Sequence, residues 1–120
     1  MKANDKGWVT VFYLDDNDHN PVQDFLQTLD DKTQTRFAWS IEQLRIRNVR
    51  AKEPLVRHLG GKLWELREAS NTNIYRLLYF FFSGRQIVLL HGFQKKTQKT
   101  PSREIEIALQ RLDHYIKRNR

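Results

Sequence analysis

The chain has 120 residues, 39% hydrophobic and 12% aromatic, with 21 lysines and arginines against 14 aspartates and glutamates, a formal charge of +7 and no cysteine. This suits one compact domain with an ordinary core and excludes a chain too poor in apolar side chains to fold. The missing cysteines exclude disulfides, thiolate catalysis and Cys-ligated zinc, and the longest apolar run, the six residues Leu77 to Phe82, falls far short of the roughly 20 needed to span a membrane.

The first predicted element is a short strand from Trp8 to Leu14, apolar on both sides. Asp15 to His19 reads as a loop, and Asn20-Pro21 supplies an N-cap with proline at the first helical position of a helix running to about Leu29. Asp30-Asp31 interrupts it. Asp31 with Gln34 starts a second helix, on which Phe37, Ile41 and Leu44 mark the buried face, and which ends near Asn48. Residues 49–61, with Pro54, His58 and Gly60-Gly61, read as a basic connector. Three strands follow, Lys62 to Glu68, Ile74 to Phe82 and Gln86 to Phe93, as an antiparallel meander. Thr100 is then expected to cap a last helix with Pro101 at its first position and Ile105, Ala108, Leu109, Leu112 and Ile116 on its apolar stripe. The order β-α-α-β-β-β-α predicts a single α+β domain over residues 1–120, with helices packed on one face of a mainly antiparallel sheet. The polar start Met1-Lys-Ala-Asn-Asp lacks the apolar segment of an export signal, so a cytoplasmic protein with no membrane partner is expected.

Charge is unevenly spread. Residues 1–44 hold 4 basic and 8 acidic side chains, residues 45–84 hold 8 and 3, and residues 85–103 hold 5 and none. A basic stretch over half the chain attracts phosphates and releases their counterions, which points to a nucleic-acid or ribonucleoprotein partner.

Several motifs fail on inspection. Asp16-x-Asp18-x-Asn20 begins like a calcium loop, but Pro21 holds the glycine position and Gln27 that of the bidentate glutamate. Gly60-Gly61-Lys62 has Val56 and Leu63 where a phosphate loop needs glycine and a hydroxyl. His19, His58, His91 and His114 lack metal-ligand spacing, and there is no Gly-x-Ser-x-Gly elbow, so neither metal nor serine-hydrolase chemistry is expected.

What remains is cations on strands. Strand parity puts Leu63, Glu65 and Arg67 on one face, and Ile74, Arg76, Leu78, Phe80 and Phe82 on one face of the next strand. Arg76 thus stands among apolar residues and needs an anion, either a carboxylate such as Glu65 or Glu68, or a bound phosphate. His91 and Phe93 share a face at the end of the third strand, which leads into Gln94-Lys95-Lys96-Thr97-Gln98-Lys99-Thr100. This cationic loop lies beside the N-terminus of the last helix, where backbone amides also favour an anion.

The blocks GKLWELRE (61–68), IYRLLYFF (74–81) and IVLLHGFQKKTQKTP (87–101), followed by SREIEIALQRL (102–112), occur in order with sensible spacing. Over roughly residues 54–116 the chain resembles the RelE/HigB-type toxins of bacterial toxin–antitoxin systems, particularly their phage-derived subgroup. The resemblance implies the small RelE-like α+β fold and an endoribonuclease that cuts translated mRNA in the ribosomal A site without a metal or cofactor. The ribose 2′-hydroxyl attacks the adjacent phosphate, giving a 2′,3′-cyclic phosphate and a free 5′-hydroxyl.

On this resemblance Arg67 and Arg76 are assigned to phosphate and transition-state stabilisation. Either Lys95 or Lys96 acts as general acid or phosphate clamp, and His91 is a candidate base. Trp64, Tyr75 and Phe93 are candidates for base stacking, and Arg50, Lys52, Arg57 and Lys99 for contacts to ribosomal RNA. Tyr115 has no secure match to the C-terminal tyrosine that some members use. The implied partners are mRNA, the ribosome with its 16S rRNA, and a cognate antitoxin of helix-turn-helix type. Two other readings compete: a non-catalytic basic RNA-binding or ribosome-binding module, and an inactive toxin homologue that acts with its antitoxin in repression.

Overall fold

A computed structural model of the chain describes residues 7–47, 56–70, 72–95 and 99–120. They form, in order, β1 (Val9–Phe12), α1 (Pro21–Gln27), α2 (Asp31–Arg47), β2 (Val56–Gly60), β3 (Leu63–Ser70), β4 (Asn73–Phe82), β5 (Gln86–Lys95) and α3 (Ser102–Asn119). The strands make one sheet in the order β1-β5-β4-β3-β2. All neighbours are antiparallel except β1, which runs parallel to β5. The α+β class expected from the sequence is the class observed.

Two features depart from expectation. Residues 56–60, read as part of a connector, form the edge strand β2. Its sequence Val-Arg-His-Leu-Gly carries no alternation, and only its ladder with β3 makes it a strand. Gly60 and Gly61, at φ of +120° and +54°, form the tight turn into β3, so the glycine pair marks a hairpin rather than a break in the sheet. The helices also lie on both faces of the sheet instead of one. Leu78, Phe80, Val88 and Leu90 pack with Ala108, Leu112 and Tyr115 of α3. Leu77, Tyr79, Ile87 and Leu89 pack with Val22 of α1 and with Phe37 and Leu44 of α2. A central strand that is apolar on both sides needs cover on both.

The local signals for the helices are mostly met. Asn20 accepts from the backbone N–H of Gln23 at 3.0 Å, and Pro21 opens α1. Phe37 and Leu44 are fully buried on α2. Its first turn is organised one residue earlier than predicted: the backbone N–H of Gln34 donates to the Asp30 carbonyl at 3.0 Å. α1 lies so close to β5 that a methyl group at Gly92 would overlap the Phe25 ring.

Along β5 the pairing with β4 slips between Leu78 and Tyr79, where Leu78 opposes His91 and Tyr79 opposes Leu89. The extra residue, Leu90, is a bulge. It allows Val88 and Leu90 to fill the core under α3 while His91, Phe93 and Lys95 continue along that same face. The bulge therefore connects the hydrophobic core to the polar end of the sheet.

Candidate nucleic-acid interface and active site

At the end of the sheet beside the start of α3, the α3-side face turns from apolar to charged. Arg57 of β2 stands directly opposite Glu65 of β3, and Arg67 of β3 directly opposite Arg76 of β4. Lys95, at the end of β5, adds a fourth cation whose proton affinity is set partly by Arg76, Glu65, Arg57 and Arg67. Like charges facing across a ladder are unfavourable, so the Arg67–Arg76 pair needs a nearby anion.

Glu65 is that anion in the folded chain. It is 1% exposed, as is Arg76, and its Oε1 accepts from the Arg76 guanidinium. Its Oε2 accepts from the Thr100 hydroxyl at 2.5 Å, and the Thr100 oxygen lies 3.5 Å from Lys95 Nζ. Arg76, Glu65, Thr100 and Lys95 thus form one buried polar chain across three strands and the start of α3. Arg76 Nε has no hydrogen-bond partner. Burial pushes the Lys95 ammonium toward its neutral form, the surrounding arginines add to this, and Glu65 opposes it.

Above this chain a cleft opens between β2 and the start of α3, lined by Arg57, Leu59, Lys99, Thr100 and Ile105. Arg57 and Lys99 are exposed there. Thr100 does not cap α3 as predicted: the N-cap is Pro101, which has no side-chain capping bond, because the Thr100 hydroxyl is directed at Glu65.

Residues 24–113, from α1 through most of α3, match the model of the family described as phage-derived protein Gp49-like (DUF891). The chain belongs to that family. The matched span holds every residue of the charged cluster and cleft. Gp49-like proteins form a toxin-like family related to RelE and HigB, which implies an antitoxin partner. No curated protein matches the chain. No helix among the described residues is long and apolar enough to cross a membrane.

Of the residues singled out in this Gp49-like sequence, Arg57, Arg67, Arg76 and Lys95 come together, with Lys99 on the rim. Lys96, Arg50 and Lys52 lie outside the described residues. Trp64 and Tyr75 project to the opposite, α2-side face, where Trp64 packs against His58 and Phe81 and Tyr75 against Phe25. They are not brought to the cluster. Phe93 is on the correct face and directly opposite Arg76, but it is a buried member of the α3-side core.

His91 stacks on Phe93 and is engaged at both ring nitrogens. Arg111 donates to Nδ1 at 3.2 Å, so that nitrogen carries the lone pair, and Nε2–H donates to Glu104 at 2.6 Å. Burial lowers its proton affinity, which agrees with this neutral form. His91 therefore ties β5 to α3. Tyr115 is likewise a core residue, donating its hydroxyl to Gln86 at 2.5 Å.

Thr100 was missed as a site residue, and Glu65 was foreseen only as one of the carboxylates that could pair with Arg76. For Glu65 the signal was present in strand parity, which puts it on the Arg67 face. For Thr100 it was hidden, because threonine before proline reads locally as a helix cap.

Proposed function

We propose that this chain is the toxin of a toxin–antitoxin pair, with the RelE-like fold, and that it inhibits translation in the cytoplasm as a ribosome-dependent mRNA endoribonuclease. The supporting observation is the gathering of Arg57, Arg67, Arg76 and Lys95 around the carboxylate of Glu65. Attack of a ribose 2′-hydroxyl on the adjacent phosphorus, its proton passing to solvent water, builds negative charge on the phosphorane, and preorganised cations lower the barrier by meeting that charge as it develops. Arg67, half-exposed, and Arg57, exposed, are assigned to the phosphate oxygens, and Arg76 acts beneath them as a fixed charge.

Lys95 is assigned to protonate the leaving 5′-oxygen, since an ammonium with lowered proton affinity gives up its proton more readily. The reaction is a transesterification within the RNA and calls on no metal. His91, occupied by Glu104 and Arg111, is assigned to holding α3 rather than to proton transfer. The antitoxin is expected to carry a helix-turn-helix unit and to meet the basic surface with an acidic or amphipathic segment.

The test is to incubate the purified protein with translating ribosomes and a defined mRNA and to map new ends by primer extension, beside Arg67→Ala and Lys95→Ala. Codon-phased cuts that are lost in both variants support the assignment. Intact mRNA with folded protein overturns it and favours a non-catalytic RNA-binding module, in which the exposed Arg57 and Lys99 hold the RNA backbone.

A further inference from the structure

We propose that Glu65 and Thr100 are positioning residues for the reaction assigned above: the buried carboxylate holds Arg76 with one oxygen, and with the other fixes the Thr100 hydroxyl against Lys95. The inference rests on the nuclease reading for its catalytic consequence and on geometry for the arrangement itself. Glu65, Arg76, Lys95 and Thr100 are each no more than 5% exposed. Their contacts run without a break from the Arg76 guanidinium through Glu65 and Thr100 to Lys95 Nζ.

A purely stabilising role accounts poorly for this chain. A buried ion pair can be replaced by apolar side chains of similar volume without loss of stability, and a threonine before a helix stabilises most as a cap. Here the carboxylate sits among the cations and the hydroxyl is turned away from the helix. Both features make sense if Lys95 must be held in one place and one protonation state.

Among the described residues, the charged groups that act on Lys95 include Arg57 from β2, Glu65 and Arg67 from β3, and Arg76 from β4, and of these Glu65 is the anion. It has two effects. It keeps Arg76 from repelling Lys95 at full strength, and it raises the Lys95 proton affinity that burial and the arginines lower. Thr100 carries the geometric part: its hydroxyl donates to Glu65, which leaves its lone pairs directed at the ammonium.

Three variants of the full-length protein test the proposal: Glu65→Gln, Thr100→Val and Thr100→Ser. Folding is checked by circular dichroism and melting. Ribosome-programmed cleavage is followed against pH, and the Lys95 ammonium is titrated by NMR in isotopically labelled protein without RNA. Glu65→Gln is expected to lower kcat by about 10-fold to 100-fold, and to move both the Lys95 titration and the limb of the rate profile it governs to lower pH. Thr100→Val is expected to lower kcat by a similar factor with KM little changed, and Thr100→Ser to restore it.

Folded Glu65→Gln with the parent's Lys95 titration overturns the proposal, as does Thr100→Val with the parent's kcat. If Glu65→Gln does not fold, Thr100→Val, which leaves the Glu65–Arg76 pair in place, decides alone. If the parent cleaves nothing, the nuclease reading fails by itself. The NMR titration then still decides the arrangement: a Lys95 shift in Glu65→Gln upholds it, and no shift overturns it.

Discussion

Thr100 donates its hydroxyl to Glu65 at 2.5 Å and does not serve as the side-chain acceptor that caps the first turn of the helix that follows it. That turn relies on backbone bonds from Glu104 and Ile105 to the Pro101 carbonyl. A missing threonine cap costs about 1 kcal/mol in typical helices. α3 is held by tertiary contacts instead: Glu104 to His91, Arg111 to the Leu90 carbonyl at 2.9 Å, Tyr115 to Gln86, and the His114–Tyr13 bond at 2.7 Å. The helix that completes the cleft is thus positioned by the sheet it covers.

The Glu65–Arg76 pair predicts asymmetric mutational costs. Arg76→Ala leaves a buried carboxylate without its guanidinium, and about 3–5 kcal/mol of stability should be lost in denaturant unfolding. Replacing both members with apolar residues, as in Glu65→Leu with Arg76→Met, should recover most of that loss. Cleavage should stay abolished in the double variant, which separates the pair's contribution to folding from its contribution to the site.

Gly92 should tolerate no side chain while Phe25 keeps its position. Gly92→Ala drives a methyl group into the Phe25 ring and brings it within 2.9 Å of Leu77, and overpacking of this kind costs about 1–3 kcal/mol. Phe25→Leu in the same protein should return part of the loss. Equal melting temperatures for the Gly92→Ala single variant and the parent would show that α1 yields freely.

His91 gives stability an acid dependence with a definite sign. Its folded-state proton affinity is lowered, chiefly by burial and further by Arg111, against the raising effect of Glu104. The unfolded chain therefore binds the extra proton first as pH falls below about 6.5, and stability is lost from there down through the lower folded value. Melting temperature should fall on going from neutral to mildly acidic buffer. The fall should be smaller in His91→Gln, which has no ring to protonate.

Arg57 and Lys99 line the cleft on its exposed side, and a role in holding RNA predicts uniform, salt-sensitive losses of affinity. Arg57→Ala or Lys99→Ala should weaken RNA binding at all sequences and reduce the magnitude of the log K against log salt slope by about 0.7 for each phosphate that the side chain neutralises. Binding measured by fluorescence anisotropy over a salt series checks this. An unchanged slope removes that residue from the interface.

The sequence by itself determined the α+β class, three helices, the three main strands, the buried face of α2 and the concentration of cations on β3, β4 and the end of β5. These follow from short-range rules: proline and asparagine open α1, a 3.6-residue period marks the apolar stripes, and alternation places Glu65 and Arg67 on one face. Tertiary structure decided the rest. β2 exists because β3 offers it a ladder, and the bulge at Leu90 brings His91, Phe93 and Lys95 onto the α3 side. The choice of Glu65 as the anion for Arg76 and the diversion of Thr100 from its cap likewise depend on which segments become neighbours. Local patterns fix which face of a strand a side chain occupies, whereas its partner is set by register between segments far apart in the chain.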